Sequence, residues 1–86
     1  MIDAEFRSEE RFSRLSLAYE GQDEKKKVDA CVDTIVAKYP KQPEIHVTAI
    51  SNNREVLVVE YHDDTNRESG AIFEEILKEL NISKCN

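Results

Sequence analysis

Two histidines, two cysteines and a run of carboxylates are the residues of this chain whose chemistry reaches beyond packing. His62 is followed by Asp63 and Asp64, so an imidazole and two carboxylates stand in consecutive positions and could hold a divalent ion. A polar turn between a strand and a helix has the same composition, and that is the reading we expect here. His46 could share an ion with His62 only from the same face of a sheet. The hairpin register derived below sends the two to opposite faces, so no metal and no cofactor is expected. Cys31 falls on an apolar helical stripe and Cys85 is next to last. A reactive thiol needs a nearby base and partial exposure, so Cys31 is expected to be a small core residue. Two cysteines at this spacing make no disulfide framework.

Ser, His and Asp occur in no arrangement resembling a nucleophile elbow, and two glycines are too few for a phosphate-cradling loop. A non-catalytic protein is expected. The second half of the chain is distinctly acidic, because its carboxylates, Glu60, Asp63, Asp64, Glu68, Glu74, Glu75 and Glu79 among them, outnumber its basic residues. With a formal net charge of −6, they predict an acidic docking surface that speeds encounter with a basic surface on a partner protein. The same charge argues against a protein that neutralises nucleic-acid phosphates. The basic run Lys25-Lys26-Lys27 is flanked by Asp23, Glu24 and Asp29 and reads as a solvated helix start.

The elements that must position these residues follow from periodicity. Residues 44–62 hold two β-branched runs, Ile45 to Ile50 and Val56 to Tyr61, separated by Ser51-Asn52-Asn53-Arg54. Asn tolerates positive φ, so a two-residue turn is placed at Asn52-Asn53. Ser51 then faces Arg54, Ala49 faces Val56, Val47 faces Val58 and Ile45 faces Glu60. The second run is apolar on both sides, as in a central strand, and the first is mixed, as in an edge strand. Before them, Phe12–Glu20 alternates, with Leu15, Leu17 and Tyr19 on one side. Residues 23–39 are helical: Val28, Cys31, Val32, Ile35, Val36 and Tyr39 keep one stripe. Asp23 is the expected cap, Gly21 ends the strand before it, and Pro40 stops the helix. A second helix carries Ile72, Phe73, Ile76, Leu77 and Leu80. Thr65 with Glu68 forms a capping box, Ser69 is the alternative cap, and Asn81 is the expected stop. Gly70 inside it implies close packing or a later start. Residues 1–11 are an arm, a short helix or an extra strand, and residues 82–86 are long enough for a stub of edge strand.

The order β-α-β-β-α in 86 residues gives one α+β domain: a two-layer sandwich of the ferredoxin-like sort, its last strand short or missing, with two helices on one face of an antiparallel sheet. The helix-side face is expected to hold Leu15, Leu17, Tyr19, Val47, Ala49, Val56 and Val58, although the register alone does not say which face meets the helices, and the two could be exchanged. The open face would hold His46, Thr48, Ile50, Leu57, Val59 and Tyr61 beside Arg14. Such an apolar open face marks a contact surface. Its occupant would be the N-terminal segment through Ile2 and Phe6, a second copy in a homodimer, or another protein. The acidic N-terminus has no apolar run, and no stretch has the ~18 apolar residues of a membrane span, so a cytoplasmic protein is expected. The expected function is a small acidic protein-binding module, an inhibitor or adaptor docking on a basic, nucleic-acid-handling surface. The alternatives are an RNA-binding module that stacks bases on Tyr61 and Phe12 of the open face, and a small-ligand regulatory domain.

Overall fold

The structure is a computed structural model that describes residues 2–9, 11–62 and 68–82. Four strands and two helices follow in the order β1 (Asp3–Ser8), β2 (Phe12–Glu20), α1 (Gly21–Val36), β3 (Glu44–Ala49), β4 (Arg54–His62) and α2 (Glu68–Glu79). The strands form one antiparallel sheet in the order β1-β2-β4-β3. Because β2 and β3 each run antiparallel to β4, they are parallel to one another. With α1 joining them and β4 inserted between, they make a split β-α-β unit. The N-terminal segment is the extra strand. It pairs along β2, Asp3 to Ala18 and Phe6 to Leu15, and does not fold across the open face. Phe6 lies on the helix side, edge-on to Phe73 with ring centroids 5.7 Å apart.

The hairpin departs from its expected register by one residue. Ala49 pairs with Glu55, Val47 with Leu57 and Ile45 with Val59. The loop is Ser51-Asn52-Asn53, closed by the Ile50 N–H donating to the Arg54 carbonyl at 2.9 Å. A two-residue turn at the asparagines needs left-handed backbone there. Among the described residues the only non-glycine with positive φ is Asn81, so neither asparagine adopts it. The slip inverts every side chain of β4. Leu57, Val59 and Tyr61 point into the sandwich and are buried; Val56 and Val58, expected there, lie on the open face. This phase buries larger apolar side chains and keeps the Glu60 carboxylate on the open side. Burying a Leu or Val side chain contributes about 1.5–3 kcal/mol, which makes the choice decisive.

The core joins Leu15, Leu17 and Tyr19 of β2 and this β4 set to the stripes of the helices. These are Val28, Cys31, Val32, Ile35 and Val36 of α1, and Ile72, Phe73 and Ile76 of α2 with Leu80. Both stripes match the periodicity. Helix α1 starts two residues before the expected cap Asp23, which falls in its first turn. Glu20, in extended conformation, is the N-cap, and its backbone N–H donates to Glu24 Oε1 at 2.8 Å. Gly21 makes the corner at φ 83°, a conformation glycine adopts without a Cβ clash, and its N–H donates to the Asn53 carbonyl at 2.9 Å. Helix α2 ends as its sequence implies. Asn81 takes φ 61°, the Ile82 N–H reaches the Leu77 carbonyl and the Asn81 N–H the Lys78 carbonyl. This is a Schellman motif. The capping residue Thr65 lies outside the described residues, as does most of the expected C-terminal stub. Gly70 is exposed, with nothing within 4 Å of a would-be Cβ, so close packing is not the reason for it.

These two glycines give opposite expectations. Gly70→Ala should stabilise by about 0.5–1 kcal/mol, by restricting the unfolded chain. Gly21→Ala should destabilise by about 1–2 kcal/mol, the cost of left-handed backbone for an L-residue. Urea denaturation of the two variants beside the wild type checks both signs.

Candidate functional site

Strand β3 ends the sheet, and all six of its residues are exposed. Among the described residues no strand pairs with its outer edge, whose backbone N–H and C=O groups a further strand would meet. Ile45 and Val47 lie on the helix side, as expected for Val47, yet are 42% and 46% exposed. Ile50, just beyond the strand, is 59% exposed. The helical layer therefore stops short of this edge. The mixed pattern of β3 marked it as an edge in the sequence. Alternation alone could not show that Ile45 and Val47 would lack a cover, because that depends on where the helices lie across the sheet. The opposite edge, β1, carries Asp3, Glu5 and Arg7, charges of the kind that discourage edge pairing. Strand β3 has Glu44 alone as a permanent charge.

Of the six residues expected on the open face, His46 and Thr48 lie on it and Ile50 is exposed beside it. Leu57, Val59 and Tyr61 are in the core instead, through the register slip. Tyr61 and Leu57 are therefore buried and are not presented on that face. The open face is ionic in their stead. Arg14, Glu60 and Glu44 are successive cross-strand partners on β2, β4 and β3. Arg14 Nε donates to Glu60 Oε2 at 2.9 Å, and the Glu60 side chain is only 10% exposed. His46 Nε2 stands 3.5 Å from Glu60 Oε1, and His62 Nε2 stands 3.4 Å from Glu44 Oε2. The two histidines therefore share the open face, one on each side of the Glu44–Glu60 pair, where opposite faces were expected. Phe12 meets the His62 ring edge-on at 5.2 Å, and the Arg14 guanidinium lies 5.3 Å from the Phe12 centroid.

The expected acidic surface is divided. Glu60 belongs to the open face, whereas Glu68, Glu74, Glu75 and Glu79 belong to α2 in the other layer. Asp63 and Asp64 lie outside the described residues. Glu74 and Glu79 are exposed. Glu75 accepts hydrogen bonds from Lys38 Nζ and from Tyr39 Oη, the latter at 2.8 Å. The Lys38 bond first, then that of Tyr39, holds its carboxyl below the usual range. A second such cluster fastens α1 to β4: Tyr19 Oη and Lys25 Nζ donate to Glu55 Oε1 at 2.9 and 3.1 Å. The Tyr19 bond, then the Lys25 bond, lowers the Glu55 carboxyl, while burial above all raises the Tyr19 phenol.

A cleft of about 420 Å³ lies between α1 and α2, with Lys27, Thr34, Lys38, Glu75 and Glu79 along it and Cys31 among its lining. Cys31 is buried, as expected, and its Sγ donates to the Ile76 carbonyl at 3.7 Å. Burial pushes the thiol up to about 11, so it stays protonated at neutral pH and is not an activated nucleophile. Among the described residues, no helix is long and apolar enough to cross a membrane. Compared with protein-family models, with curated proteins and with solved structures, the chain matches none.

The lowered carboxyls of Glu55 and Glu75 set an acid dependence. A carboxyl depressed on folding contributes stability that is complete above its ordinary value of 4.5 and is lost as pH falls through the folded value. Urea midpoints should therefore decline on acidification below about pH 4.5, and Glu55→Gln and Glu75→Gln should each make that decline shallower. Acid limbs identical to the wild type in both variants would contradict these assignments.

Proposed function

We propose that the protein is a small, non-catalytic binding module that docks on another protein through strand β3, as an inhibitor or adaptor. The observation that carries this reading is the exposed edge of β3 with Ile45, Val47 and Ile50 uncovered along it. An extended segment of a partner adding to that edge gains main-chain hydrogen bonds, and alternate side chains meet Ile45 and Val47. The sandwich is taken as ferredoxin-like, with β1 in the place of a final strand, which leaves β3 as the receptive edge.

Charge supports a basic partner over a second copy. At a formal net charge of −6, two copies repel one another, whereas a basic protein surface is drawn in. The exposed carboxylates of α2, Glu74 and Glu79, add to that field. The ionic open face gives less support to nucleic acid. Arg14 is taken up by Glu60, and Arg54 Nη2 lies 3.6 Å from Asp3 Oδ2. A cytoplasmic setting fits this role and is part of the same proposal.

The double variant Ile45→Lys/Val47→Lys tests it, since both positions are exposed and the fold should survive. The wild type should retain a protein partner in a pull-down, with retention weakening as salt rises, and the variant should lose it by tenfold or more, about 1.4 kcal/mol. Equal retention by both would remove β3 from the interface. Sedimentation of the wild type as a dimer that becomes a monomer in the variant would make a second copy the occupant and overturn the basic-partner reading.

A further inference from the structure

The open face holds one arrangement that the fold by itself leaves unfavourable. Glu44 and Glu60 are direct cross-strand partners, and like charges placed opposite each other destabilise a sheet. Among the described residues, Arg14 is the one permanent cation that meets this repulsion, at Glu60 Oε2 from the β2 side, with the imidazoles of His46 and His62 beside the other carboxylate oxygens. On the β3 side, Glu44, Glu60 and His62 converge: one ligand atom from each lies within 4.8 Å of the others. We propose that these three side chains form a surface site for a divalent transition-metal ion of the zinc type.

The donor set and its surroundings support this. One imidazole nitrogen with two carboxylates suits zinc and its late first-row neighbours better than the all-oxygen shells of calcium or magnesium. Ligand atoms around a tetrahedral zinc, bound at about 2.0–2.2 Å, stand about 3.4 Å apart, so the triad must draw together by up to about 1.4 Å. Glu44, the most exposed of the three, has room to rotate that far. Glu60 is already oriented by Arg14, and the edge of Phe12 restrains the His62 ring; such outer contacts fix ligands for an ion. His46, 3.5 Å from Glu60 Oε1, stands close enough to support it. Three protein ligands leave a position open to water. The site differs from the consecutive His62-Asp63-Asp64 triplet of the sequence, because its carboxylates come across strands.

Titration calorimetry of the full chain with zinc chloride, at neutral pH in a non-chelating buffer, tests the proposal. Zinc should bind the wild type at a site whose affinity falls tenfold or more in His62→Ala and in Glu44→Gln, a change of at least about 1.4 kcal/mol. Asp63→Asn/Asp64→Asn and Glu79→Gln should leave it unchanged, and circular dichroism should show all four variants folded. Absence of zinc binding to the wild type would overturn the site. So would equal affinity in His62→Ala, which would place the ion elsewhere, or loss in Asp63→Asn/Asp64→Asn, which would place it on the turn.

Discussion

The phase of β4 governs this molecule. A strand has two faces, and whichever one meets the helices decides what the rest of the sheet can offer. With Leu57, Val59 and Tyr61 turned inward, β4 continues the apolar row of β2: Leu17 beside Leu57, Leu15 beside Val59. Tyr61 then reaches Phe73 of α2, ring centroids 5.7 Å apart, and Phe73 in turn meets Phe6 of β1. One aromatic chain of contacts thus ties three elements together. The opposite phase would direct Glu60 into that row and away from Arg14, leaving a buried charge without its partner.

The arrangement of the open face is a consequence of this choice. Because β4 turns its larger apolar residues to the core, its outer side is left with Val56, Val58, Glu60 and His62, and the open face is ionic around the Glu44–Glu60 pair. The same register sets Glu44 beside Glu60 and brings His46 and His62 to a common side. The exposed edge has a separate origin. The helices lie over the inner strands, so β3 is paired on one side and its inward residues Ile45 and Val47 are only half covered. The acidic residues are then shared between two layers, and electrostatic attraction to a partner works as a diffuse field of the whole chain more than as one continuous surface.

Much of the fold was legible in the residues. The stripes of α1 and α2, the alternation of Leu15, Leu17 and Tyr19, the stop at Asn81, and the edge and central characters of β3 and β4 all follow from periodicity and residue type. Two things were not. The loop register depended on whether Asn52 and Asn53 would adopt left-handed backbone, and that is decided by tertiary burial of Leu57 and Tyr61, not by the asparagines themselves. The destination of residues 2–8 depended on a vacant edge beside β2, which no local pattern reveals. Since every open-face residue of β4 was inferred through the loop, one wrong residue of register misplaced Leu57, Val59 and Tyr61 together and separated the two histidines. The observed pairing sets His46 and Thr48 on the open face beside Val58 and Val56.

The most direct test of the β4 phase is to compare Leu57→Ala with Val58→Ala by urea denaturation. Buried Leu57 should lose about 2–5 kcal/mol, transfer and cavity terms together. Partly exposed Val58 should lose less, about 1 kcal/mol. The reverse order, with Val58→Ala the more damaging, would mean that β4 presents its other face to the helices, and the ionic open face with its histidines would not exist as described.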